Sequence, residues 1–68
     1  MHPAVTLLLS AAADDHLSRI VDQVGGFDRA RHVIFEEADE LQSSGNRADF
    51  AAVISLFSKV EKLARRML

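Results

Sequence analysis

The sequence contains no cysteine, tryptophan or tyrosine, and it has one proline and three glycines. Without cysteine, neither a disulfide nor a thiolate metal site can stabilise the chain, and cysteine usage does not reveal its redox compartment. Its four aromatic residues are all phenylalanines, and they are not interleaved with basic residues as a base-stacking surface would require. Because glycine and proline are scarce, long stretches lack helix breakers.

The net charge is small, at −2, so the chain has no general attraction to nucleic acid or to anionic membranes. Hydrophobic residues make up 49% of the sequence, which is typical of a globular chain. We expect one helical domain covering residues 1–68. A chain of this length buries only about 60% of the surface that its unfolded form exposes, so we expect self-association or partner binding to add stability.

An uncharged run extends from Ala4 to Ala13 near the start of the chain. No lysine or arginine precedes it, and cleavage after Ala13 would make a signal peptide shorter than the usual length of about 15–30 residues. The run also falls short of the roughly 20 residues that cross a bilayer. We therefore expect a cytoplasmic protein without a membrane partner. Residues 4–9 fit either a short strand or a helix extension, and both alternatives stay open.

Two clusters of helix breakers divide the remaining sequence: "GG" at residues 25–26 and "QSSGN" at residues 42–46. In each of the three segments that these clusters separate, apolar residues recur at steps of three and four. This pattern predicts an all-α chain of three helices at about residues 10–24, 28–43 and 47–67, which form a helical bundle through oligomerisation.

Local signals predict where these helices begin and end. Asp14 and Asp15 would lie in the first turn of the first helix, where the helix dipole favours negative charge, and Gly25 would end that helix. Asp49 would complete a capping box at the start of the third helix. The predicted N-caps of the three helices are Ser10, Asp28 and Asn46.

The third predicted helix has the widest apolar face, because apolar residues recur in it at heptad spacing and Leu68 widens the resulting seam. We expect self-association through this helix and the apolar N-terminus. Two residues outside the helix, Leu8 and Phe35, are predicted secondary contacts. The same side chains could instead form the core of a single chain, and the sequence does not separate the two roles. The main predicted interface residues are Phe50, Val53, Phe57, Val60 and Met67.

No sequence motif indicates a catalytic, cofactor or metal site. His32 and Glu36 have the i,i+4 spacing of two metal ligands on one helix, but no further ligand is spaced to complete a site. The serines lack a glycine-flanked nucleophile turn, and the "GG" pair lacks the following lysine of a phosphate-binding loop. We therefore expect a small non-enzymatic interaction protein, such as an adaptor, chaperone-like or regulatory subunit. Its partners would be itself and another protein, recognised through apolar helix faces.

An alternative prediction comes from the stretch "VTLLLSAAADDHLSRIVDQVGGFDRARHVIFEEADEL". Its order of apolar run, helix, glycine turn and helix resembles the ribbon-helix-helix DNA-binding proteins. The resemblance implies a dimer with a short N-terminal strand and an extra C-terminal helix, acting as a transcriptional regulator or an antitoxin-like protein. The outward strand residues would be Ala4, Thr6 and Leu8, where that family places polar or basic side chains. The phosphate contacts would come from Arg29, Arg31, Lys59, Lys62, Arg65 and Arg66.

Overall fold

The computed structural model describes residues 1–67, and Leu68, which the periodicity assigns to the apolar seam, lies outside them. These residues form four α-helices and no strand. The second and third predicted helices agree with α3 and α4 to within one residue at each end, which confirms the all-α prediction. The helices are α1 (Pro3–Ala13), α2 (Leu17–Gln23), α3 (Phe27–Ser44) and α4 (Arg47–Met67).

Two predictions about the first third of the chain are wrong. The strand required by the ribbon-helix-helix alternative is absent, because residues 4–9 lie inside α1. The single helix predicted for residues 10–24 is instead the end of α1 followed by a separate helix, α2. Ser10 is therefore an interior residue of α1 and caps nothing, and Asp14 and Asp15 lie in the turn between the two helices.

The break between α1 and α2 follows from the backbone conformation of Asp15, which has a φ angle of 62°. This left-handed residue lets the His16 N–H bond to the carbonyl oxygen of Ala11 at 2.9 Å, a hydrogen bond that closes the end of a helix. The same bond pattern ends α2 at Gly25 and α3 at Gly45, as the glycine signal predicts for Gly25. The helices α1, α2 and α3 thus end with the same motif, and α1 has an aspartate where the other two have a glycine.

Asp15→Gly is expected to raise the free energy of unfolding by about 0.5–1 kcal/mol, because glycine adopts the left-handed conformation without the steric cost that a Cβ carries. The matched control is Asp14→Gly, whose residue has a negative φ of −103° and should lose stability instead. Thermal unfolding followed by circular dichroism measures both changes. A lower melting temperature for Asp15→Gly than for the wild type would contradict this account of the turn.

The helix starts agree only in part with the predicted caps. The α1 cap is His2, whose Nδ1 accepts a hydrogen bond from the Ala4 N–H at 3.0 Å. The α3 cap is Gly26, so the prediction of Asp28 as cap is wrong, and its carboxylate lies in the first turn. At α4, the Asp49 N–H donates to Asn46 Oδ1 at 3.2 Å, and the Asn46 amide donates to the Asp49 carboxylate at 2.9 Å. This reciprocal pair confirms the predicted capping interaction.

The core lies between an antiparallel pair of helices, α3 and α4, and the shorter helices packed against that pair. The two-residue connection after α3 turns the chain back on itself, and α3 and α4 share the largest contact in the molecule. The α1 helix packs against α2, α3 and α4. The buried cluster consists of Val5, Leu8, Val21, Ala30, Val33, Ile34, Ala38, Leu41, Val53, Leu56 and Val60.

Candidate functional site

An ion pair marks the register between α3 and α4. Arg31 Nε donates to Glu61 Oε1 at 2.5 Å, which joins the start of α3 to the last turns of α4. Arg31 also pairs with Asp28 at 3.1 Å, and its guanidinium lies 5.8 Å from the centre of the Phe27 ring. The hydrogen bond that Arg31 donates to the Glu61 carboxylate raises the pKa of Arg31 above its already high ordinary value.

The same register places large apolar side chains side by side on the surface. Phe35 lies one helical turn after Arg31, and Phe57 lies one turn before Glu61, so the two rings are level on neighbouring helices. Ile54 lies about one turn before Phe57 on α4. The exposed fractions are 71% for Phe35, 46% for Ile54 and 38% for Phe57. We call the surface formed by these three residues the outer face.

The outer face lies on the side of the α3–α4 pair that α1 does not cover. On α4, the fully buried Leu56 lines a cleft together with Leu9 and Ala12 of α1, which locates α1 on that side of the helix. Ile54 is two residues from Leu56, a rotation of about 200° around the helix axis. The outer face is therefore turned away from α1, and no described helix packs over it.

The predicted interface residues divide between the core and the surface. Leu8, Val53 and Val60 are fully buried within the chain, so in this conformation they cannot touch a partner. Phe50 is partly buried and packs against the core. The remaining three are exposed: Phe35 and Phe57 on the outer face, and Met67 at 63% near the end of α4.

The basic residues of the alternative prediction also separate into groups. Arg31 is held by Glu61 and Asp28, and Arg29 is exposed on the neighbouring part of α3. Lys59, Lys62 and Arg66 line a single cleft beside the α1–α2 turn. Arg65 is exposed and lines a shallow depression next to that cleft, together with Lys62 and Arg66. The structure thus brings three of the six predicted phosphate contacts into one cleft and places a fourth, Arg65, beside it.

One buried polar contact is missing from the sequence predictions. Glu37 is only 6% exposed, and its Oε1 accepts a hydrogen bond from the His2 N–H at 2.6 Å. This bond fastens the start of α1 to the middle of α3. Glu37 occupies a position in the apolar stripe between Ile34 and Ala38, and the single unexpected acid in that stripe is the clue that sequence reasoning passed over.

His32 and Glu36, the pair with metal-ligand spacing, bond to each other on the exposed surface of α3. Both side chains are more than half exposed. Among residues 1–67, no group of three or more histidine, cysteine, aspartate or glutamate side chains is placed to hold a metal ion.

Comparisons with known proteins identified no relative of this chain. No protein-family model matches the chain, and neither the curated proteins nor the solved structures contain a significant match. Within the described residues, none of the helices combines the length and apolar character needed to span a bilayer.

Proposed function

We propose that this chain is a small non-enzymatic interaction protein that self-associates through its outer face. The observation that carries the proposal is the exposure of Phe35, which leaves 71% of an aromatic side chain in water beside Ile54 and Phe57. Exposed apolar side chains that cluster, rather than occurring singly, mark interaction sites. Burial of such a cluster would also add to the stability of a chain of 68 residues, which has room for only a small core of its own.

A second copy is the occupant that the surface charges favour. On α3, Asp28 and Asp39 lie seven residues before and four residues after Phe35, which places them on the same side of the helix. On α4, Arg47 lies seven residues before Ile54 and Arg65 lies eleven residues after it. Both spacings are close to whole helical turns, so the two arginines lie on the same side of α4 as Ile54. The outer face therefore has an acidic flank on one helix and a basic flank on the other.

This pattern is self-complementary in one symmetric arrangement. A two-fold axis parallel to the helices stacks α3 of each copy on α4 of the other, so Phe35 meets the partner's Phe57 and Asp28 approaches the partner's Arg65. A two-fold axis perpendicular to the helices would stack α3 on α3 and bring like charges together. We propose the first arrangement, in which the apolar contacts supply the affinity and the charges select the orientation.

Phe35→Glu is the variant that tests this proposal. We expect the wild type to increase in mass with concentration in sedimentation velocity, and Phe35→Glu to stay monomeric, because the change places a charge in the middle of the paired faces. Helix content should not change, since Phe35 contributes little to the core. The matched control is Leu7→Glu, which alters a residue that is 51% exposed on α1 and should leave self-association unchanged.

Two results would overturn the proposal. One is a wild type that remains monomeric at the highest soluble concentration. The other is a folded Phe35→Glu variant that associates as strongly as the wild type, since that would place the contact elsewhere on the chain.

A further inference from the structure

A second surface feature is a cleft of about 450 Å³ between the α1–α2 turn and the last turns of α4. Lys59, Lys62 and Arg66 line it from α4, and Asp15 and Ser18 line it from the opposite side. None of the lining residues belongs to α3 or to the outer face. Association through the outer face would therefore leave this cleft accessible.

The three cations in the cleft lie close enough along α4 to repel one another. Lys59, Lys62 and Arg66 are spaced at i, i+3 and i+7, which places them along one side of α4, and like charges at this spacing destabilise a helix. The position near the helix C-terminus offsets part of that cost through the helix dipole. A bound anion would remove the remaining repulsion.

Neighbouring acids of the described chain form no ion pair with the cluster. The acid within this stretch of α4 is Glu61, whose carboxylate is bound to Arg31 of α3. Among residues 1–67, neither Lys59, Lys62 nor Arg66 forms an ion pair. Three positive charges thus face a cleft in which Asp15 is the sole acidic lining residue.

We propose that this basic cleft binds a compact phosphate-bearing anion. Two lysines and an arginine supply point charges and a planar donor group, the combination used to hold phosphate oxygens, and the Ser18 hydroxyl offers a further donor from the facing wall. The volume is in the range of about 300–1,000 Å³ that small-molecule sites occupy.

The test is a titration of the full chain with pyrophosphate at constant ionic strength, followed by isothermal calorimetry and by amide chemical shifts. We expect saturable one-to-one binding, with the shift changes concentrated at Ser18 and in the last turns of α4. Lys62→Gln should weaken binding by about tenfold because one charge-assisted contact is lost, and Lys62→Arg should retain most of it. Arg29→Gln removes the same charge from α3, outside the cleft, and should bind within about twofold of the wild type.

The proposal is overturned by the absence of saturable pyrophosphate binding to the wild type, or by equal losses in Lys62→Gln and Arg29→Gln, which would show charge screening without a site. Two further arms test the ligand class. Equal binding of sulfate would remove the preference for phosphate. Displacement of pyrophosphate by a short DNA duplex that binds more tightly would identify the surface as a nucleic-acid contact instead.

Discussion

Val60→Asp is expected to abolish the folded state of this protein. Val60 is fully buried in α4, in the same cluster as Val53 and Leu56, and no basic side chain belongs to that cluster. Burying an unpaired carboxylate costs several kcal/mol, and protonating it instead also costs free energy at neutral pH. Small domains have a total stability of about 5–15 kcal/mol, and short chains lie at the low end of that range, so this single change is enough to remove it.

Phe57→Asp provides the comparison, three residues earlier on the same helix. Phe57 is on the outer face, where the new carboxylate can reach water, so we expect the helices to remain and the mass in solution to fall. Circular dichroism with thermal unfolding, together with sedimentation, distinguishes the two outcomes. A cooperative melt and wild-type helix content in Val60→Asp would contradict the packing of α4 described above.

Leu8→Ala is expected to lower the free energy of unfolding by about 2–4 kcal/mol, through lost burial and the cavity left behind. Leu8 is the largest fully buried side chain in α1, and it contributes to the cluster that α3 and α4 also form. Leu7→Ala is the matched control, because its side chain is 51% exposed and its truncation should cost less than about 0.5 kcal/mol.

Urea denaturation followed by circular dichroism measures this pair of variants. The difference between them depends on α1 being a helix: a strand would place Leu7 on the same side as Val5, whereas the helix places Leu8 there. A larger loss for Leu7→Ala than for Leu8→Ala would contradict both the helical conformation of residues 4–9 and its orientation against α3.

Periodicity and breaker residues predicted α3 and α4 to within one residue at each end, since both helices are long and are separated by strong local signals. The reciprocal bonds of Asn46 and Asp49 were predictable for the same reason. The break at Asp15 was missed because aspartate seldom adopts the left-handed conformation and the sequence there contains no glycine. That omission merged α1 and α2 into one predicted helix.

The interface was predicted in part. Heptad spacing put Phe57 and Val60 into one seam, but Val60 faces the core and Phe57 lies on the uncovered side. Periodicity shows that a helix has an apolar face, and it does not show which edge of a wide face a neighbouring helix covers. Phe35 was predicted as a secondary contact on the basis of its position outside the narrow stripe, and it is the most exposed residue of the outer face.

The all-helical character of the chain and the extent of its two long helices follow from the sequence, because they depend on interactions between residues a few positions apart. The assignment of apolar residues to core or surface depends on contacts across the whole chain. Leu8 is buried because α1 folds back over α3 and α4, and Phe35 is exposed because no described helix covers the other side of that pair. The Arg31–Glu61 bond and the gathering of Lys59, Lys62 and Arg66 opposite Ser18 likewise join residues far apart in sequence, so only the tertiary structure establishes them.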